Sequence, residues 1–160
     1  MLHLSEPTQV SAFGTTRAVF KRSQVSQLCE SVNLDAREKA LILDRQTLNK
    51  IAVKLLSLES DEHLVCLFVD EQLRIILIRE FGEPGVSQVL VSFGEIYRAG
   101  IKCSAAAFAL IHNHPSGHIE PSRDDISLTR RIAQIGDDLN MHLIDHLIVA
   151  GGKTRTIGNW

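Results

Sequence analysis

The sequence predicts a mixed α/β domain, a β-sheet flanked by helices, and three observations lead there. Apolar residues recur at spacings of three and four in some segments, and form short continuous runs rich in β-branched residues in others. From Ala36 onwards the two kinds follow one another as α-β-β-(β)-α-β-loop-α-β-β, the order of a mixed sheet with helices against it. A chain of 160 residues, 44% hydrophobic and 22% charged, has the apolar material for one compact core.

Residues 1 to about 22 mix Ser and Thr with scattered apolar residues in no steady period, and read as an arm. Val25, Leu28, Cys29 and Val32 mark a short amphipathic helix ending near Asn33, with Asp35 as a cap for the next. Residues 1–34 are therefore an arm with an extra helical segment, and residues 35–160 the domain. Good helix formers fill residues 36–58, where Leu48, Ile51, Ala52, Leu55 and Leu56 share one face. His63 to Val69 and Leu73 to Ile78 are apolar runs joined by Asp70-Glu71-Gln72, a hairpin pattern. Phe81 to Gly85 is a loop by its Gly and Pro content, and Val86 to Val91 reads as a further strand.

Ser92 and Glu95 make a capping-box pattern that opens a helix to about Lys102. Ala105 to Ile111 is an apolar run too short for a typical helix and is placed as a buried strand. Ile126, Thr129, Ile132, Ala133 and Ile135 mark a helix from about Arg123 to Asp138. Met141 to Ala150 is a strand, Gly151-Gly152 a turn and Lys153 to Ile157 a closing strand.

The net charge of −2 leaves no basic footprint for nucleic acid, and no run approaches the roughly 18 apolar residues of a membrane span. Cys29, Cys66 and Cys103 are odd in number and lack a CxxC pair, which fits reduced thiols in the cytoplasm better than a disulfide framework. The first residues lack a basic start followed by an apolar run, so no secretory signal is expected.

Chemistry concentrates between His112 and Asp125. Side chains at i and i+2 of a strand point the same way, so extended backbone past Ile111 turns the rings of His112 and His114 to one point. Two neutral imidazoles and a carboxylate are a ligand set that leaves a tetrahedral zinc one open position. Asp125 is the preferred carboxylate, because the first turn of the following helix favours its ionised form. Asp124 is the alternative, one residue off the pattern. Ser122-x-x-Asp125 taken alone is a second capping box. His118 reads as an exposed turn residue, and Asn113 and Ser116 as residues that shape the loop.

His112-x-His114, seven residues, Ser122, two residues and Asp125 resemble the JAMM signature of MPN/JAB-domain metalloproteases. The fuller string HNHPSGHIEPSRDD, followed by LT and later by DHLIVAGG, is similar to the bacterial RadC family among them. The resemblance runs from about Glu62 to the C-terminus. It implies a cytidine-deaminase-like fold, one zinc ion per chain, and hydrolysis of a peptide or isopeptide bond in a protein or peptide substrate. It also implies an upstream glutamate as general base, and Glu62, at the start of a strand after the long helix, occupies that place; Glu80 and Glu95 are the competitors. By the same resemblance Ser122 hydrogen-bonds the oxyanion; His146, in the matching string Asp145-His146-Leu147-Ile148, reads as a residue behind the ligands or a structural one.

The first 60 residues, with Gly14 alone before Gly82, do not resemble the helix-hairpin-helix module of longer RadC-type proteins. Two further readings stand beside the hydrolase: a DNA-repair-associated or nucleic-acid-processing accessory protein, and a non-catalytic MPN module that binds a partner.

Overall fold

The computed structural model describes residues 19–20, 43–81 and 92–158. The helix expected between Ser23 and Asn33, the strand expected at residues 86–91, and Cys29 lie outside them.

The described elements are β1 (Val19–Phe20), α1 (Arg45–Leu56), β2 (Leu64–Val69), β3 (Ile75–Phe81), α2 (Phe93–Lys102), β4 (Ala107–Asn113), α3 (Arg123–Asp138), β5 (His142–Ala150) and β6 (Lys153–Thr156). The strands form one sheet in the order β1-β3-β2-β4-β5-β6, so the mixed α/β class is the one observed. Only β4 and β5 pair in parallel, across the α3 crossover; the other neighbours are antiparallel.

Several details differ from expectation. Within the described residues α1 begins at Arg45, because the Asp44 carboxylate accepts the Thr47 N–H and caps it there. Ser92 occupies the N-cap of α2, but its side chain makes no cap hydrogen bond. β4 continues two residues past Ile111, through His112 and Asn113. From the stretch read as an arm, Val19 and Phe20 pair with Arg79 and Ile78 of β3.

The alternation of side chains divides the core in two. Val65, Leu67, Ala109, Ile111 and Val149 face α1, where they meet Leu48, Ile51 and Ala52. Leu64, Cys66, Phe68, Phe108 and Leu110 face the other way, onto Ile96 and Tyr97 of α2 and Ile132 of α3. Gly100 and Gly136 allow this second layer to close: a Cβ on Gly100 would lie 2.4 Å from the Met141 sulfur, and one on Gly136 2.5 Å from the Met141 carbonyl oxygen. Even-numbered positions of β2 and β4 thus look towards α2 and α3. His112 is one of them, and the parity extended two residues carries His114 to the same side.

Candidate metal centre

The pairing of β2 with β4 matches Leu64 to His112 and Val65 to Ile111. Past the strand end the His114 N–H donates to the Val149 carbonyl at 2.9 Å, so the backbone stays extended where the second imidazole needs it. The chain then reverses: the Gly117 N–H donates to the His114 carbonyl at 3.0 Å, and Gly117 takes φ of +82°, the left-handed region where a Cβ would strain it. This reversal delivers the start of α3 against the end of β4.

There His112, His114 and Asp125 come together, with one nitrogen or oxygen from each within 4.8 Å of the others. Nε2 of His112 lies 2.9 Å from Nε2 of His114 and 3.2 Å from Oδ1 of Asp125, and Nε2 of His114 lies 3.4 Å from Oδ2 of Asp125. The capping box and the cluster share one carboxylate. Oδ2 of Asp125 accepts the Ser122 N–H at 2.7 Å, while Oγ of Ser122 accepts the Asp125 N–H at 3.0 Å. Asp124 is exposed and stands outside this group.

The outer nitrogens of both rings are occupied. Nδ1 of His114 faces the His118 carbonyl at 2.7 Å, and a carbonyl only accepts, so this nitrogen carries the proton. Nδ1 of His112 lies 2.8 Å from Nε2 of His146, and Nδ1 of His146 lies 2.7 Å from Oγ1 of Thr129. With its proton on Nδ1, the His114 ring leaves Nε2 facing His112 and the Asp125 carboxylate, and the three side chains together form a group of nitrogen and oxygen donors suited to a cation. Two imidazole nitrogens and a carboxylate fit zinc.

Burial opposes ionisation of Asp125, but the neighbouring His112 ring and the Ser122 hydrogen bonds outweigh it and hold the carboxyl well below the usual range. Complete burial pushes His146 the other way, well below an ordinary histidine, so its ring is neutral.

Asn113 belongs to the opposite face of the sheet, 2% exposed. Its Oδ1 accepts the His63 N–H at 2.8 Å, and its Nδ2 donates to the Asp61 carbonyl at 2.8 Å and, longer, to the Glu59 carbonyl at 3.4 Å. It clamps the backbone on both sides of Glu62. The antiparallel register of β2 and β4 pairs Leu64 with His112, and Glu62 lies two residues before that pair, ahead of the strand. Glu80 pairs with Val65 on the α1 face, where its carboxylate meets Nδ1 of His63. Glu95 sits in the first turn of α2.

Ser116 is exposed, and its Oγ accepts the His118 N–H at 3.4 Å within the reversal. His118 contributes its carbonyl, with the side chain in solvent. A depression of about 210 Å³ runs beside His114 and Ser116, with Glu59 and Ala150 on its other walls.

Sequence reasoning assigned no chemical part to Thr129, although it stands four residues after Asp125, one helical turn along the same face.

A mixed sheet that presents a His-His-Asp cluster at the junction of a strand and a capped helix defines a JAB-type domain capable of holding a metal. The chain belongs to the RadC-like JAB domain family, whose model matches residues 42–157. It is 30% identical over 148 residues to a UPF0758 protein of Bacillus velezensis, covering 92% of this chain and 64% of that protein. A UPF0758 protein of Clostridium perfringens is 32% identical over 136 residues, covering 84% and 56% of the two chains. The UPF0758 protein YsxA of Bacillus subtilis is 36% identical over 94 residues, covering 59% and 41%. The chain thus spans under two thirds of the length of these relatives. The family match begins about 20 residues before Glu62, so the likeness includes α1. No helix among the described residues is long and apolar enough to cross a membrane.

Proposed function

We propose that the chain is a zinc-dependent hydrolase that cleaves a peptide or isopeptide bond in a protein or peptide substrate in the cytoplasm. The observation that carries this reading is the convergence of two Nε2 atoms and the Asp125 carboxylate within 4.8 Å; Glu62, two residues before the strand position paired with His112, is the general base that the family likeness supports. His112, His114 and Asp125 would hold one zinc ion. When bound, it supplies a Lewis acid that brings the pKa of water towards neutrality and polarises a carbonyl.

The chain's own groups do the rest. The Glu62 carboxylate accepts a proton from the attacking water and returns it to the leaving amine. Oγ of Ser122 accepts the Asp125 N–H, and its O–H is the group that would donate to the developing oxyanion. The depression beside His114 offers the substrate chain a path along the loop. Cys66 and Cys103 are free thiols, in keeping with a reducing compartment. The −2 charge favours a protein substrate over a nucleic acid.

The test is metal content by inductively coupled plasma mass spectrometry after growth with zinc. We expect one zinc per chain in the wild type and none in His112→Ala or His114→Ala; a metal-free wild type would overturn the reading.

A further inference from the structure

The two histidines of the cluster are held differently. His114 donates from Nδ1 to the carbonyl of His118, a partner that can only accept, so its outward nitrogen is fixed without help. His112 faces another histidine at 2.8 Å, and a histidine nitrogen can donate or accept. The direction of that bond must be set elsewhere. If Nε2 of His146 carried the proton, it would donate to Nδ1 of His112, and the remaining proton of a neutral His112 would sit on Nε2, covering the lone pair that faces His114 and Asp125.

Thr129 settles the direction. Its Oγ1 lies 2.6 Å from the Asp125 carbonyl oxygen, a separation at which two oxygens need a proton between them, and the hydroxyl hydrogen is the one available. The hydroxyl has then spent its only hydrogen. Towards Nδ1 of His146, 2.7 Å away, it can only accept, so Nδ1 carries the proton of His146. The His146 ring is 0% exposed, and among the described residues its partners at hydrogen-bond distance are Thr129 and His112, neither of them a carboxylate. A neutral ring protonated at Nδ1 leaves Nε2 to accept from His112.

We infer that Thr129, acting through His146, fixes the proton of His112 on Nδ1 and keeps its Nε2 lone pair open to the cluster. Thr129 and His146 are positioning residues. The same Thr129 hydrogen bond ends on the backbone of Asp125, so one side chain ties the helix turn carrying the third ligand to the tautomer of the first. The consequence for metal binding rests on the zinc reading; the tautomer itself does not.

The experiment reads the tautomer directly. Two-bond ¹H–¹⁵N correlation spectra of ¹⁵N-labelled protein, with and without zinc, should show His146 protonated at Nδ1 in both states. Thr129→Val, close in shape but without the hydroxyl, should move His146 towards the Nε2-protonated form and weaken zinc binding about 10–100-fold by competition with a chelator. Thr129→Ser should restore both. A merely packing role for Thr129 would lower the melting temperature of the valine variant and leave tautomer and zinc affinity unmoved, which would overturn the inference. So would Nε2-protonated His146 in the wild type, a result that needs no variant. A wild type with His146 protonated at Nδ1 that binds no zinc would support the relay while overturning the zinc reading, so the two failures are distinguishable.

Discussion

Residues 112–129 hold their three donor groups with bonds drawn from one strand end, one turn and one helix start, helped by a single ring from β5. Residues 59–63, which carry Glu62, have no such local frame. They lie between α1 and β2, and the side chain that grips their backbone, Asn113, comes from the ligand segment itself. The ligand segment is thus held mainly by its own neighbours, and the backbone around the proposed base is held by the ligand segment. Asn113 stands between His112 and His114 in sequence but on the opposite face of the sheet, so one strand carries the candidate ligands on one face and grips the backbone around Glu62 from the other. The comparison predicts that the base can be disabled without disturbing the ligands.

The largest effect expected from breaking it is at Glu62. Glu62→Gln keeps size and polarity and removes the ability to take a proton, so hydrolysis should fall on the order of 10²–10⁴-fold. Zinc content, measured on the same preparation, should stay at one per chain. Unchanged hydrolysis would move the base to another group, and lost zinc would show that Glu62 is part of the ligand set.

Ser122 belongs to the ligand side and has two separable parts there. Glycine at an N-cap costs roughly a few tenths of a kcal/mol and alanine roughly 1 kcal/mol, and neither carries a hydroxyl. Ser122→Gly and Ser122→Ala should therefore lose rate alike, on the order of 10²–10³-fold if the hydroxyl serves the oxyanion. Their urea denaturation midpoints should differ, with alanine the less stable. Equal rates in wild type and Ser122→Gly would leave Ser122 as a cap alone.

How much of this was legible in the sequence follows the same division. The ligand side was, because its residues lie within fourteen positions and its spacings map onto known periods: two for the strand that aims His112 and His114, three for the cap that aims Asp125. The capping box and the carboxylate ligand, weighed there as rival readings of Asp125, turn out to use the two sides of one group. The proposed base was legible only through family resemblance, since Glu62 lies about 50 residues before the histidines and two before β2, and nothing local in the sequence ties it to them. Asn113 reads as a loop residue because its partners are backbone atoms, which any sequence supplies. The support for His112 was half visible: His146 stood in a recognised string, but Thr129 looked like one more residue on the packed face of α3. Ser92 shows the reverse error, a cap pattern whose side chain forms no cap bond.

The smallest effect sharpens the comparison most. Asn113→Ala leaves the part-buried His63 N–H and Asp61 carbonyl without their side-chain partner, and since a fully buried group stripped of its hydrogen bond costs about 1–3 kcal/mol, the loss here should fall towards the lower end. Asn113→Asp keeps an oxygen for the His63 N–H but sets another against the Asp61 carbonyl, so it should also destabilise. Neither substitution touches the Nδ1 partners of His112 or His114, which are His146 and the His118 carbonyl. Zinc affinity should therefore stay within about threefold of wild type, a shift of roughly 0.65 kcal/mol at RT ≈ 0.59 kcal/mol. Hydrogen exchange at the His63 amide should quicken and hydrolysis should fall, because Glu62 sits on the peptide pair that has lost its clamp. If zinc affinity fell as steeply as the rate, Asn113 would be supporting the ligands as well, and the two faces of β4 would be one mechanical unit.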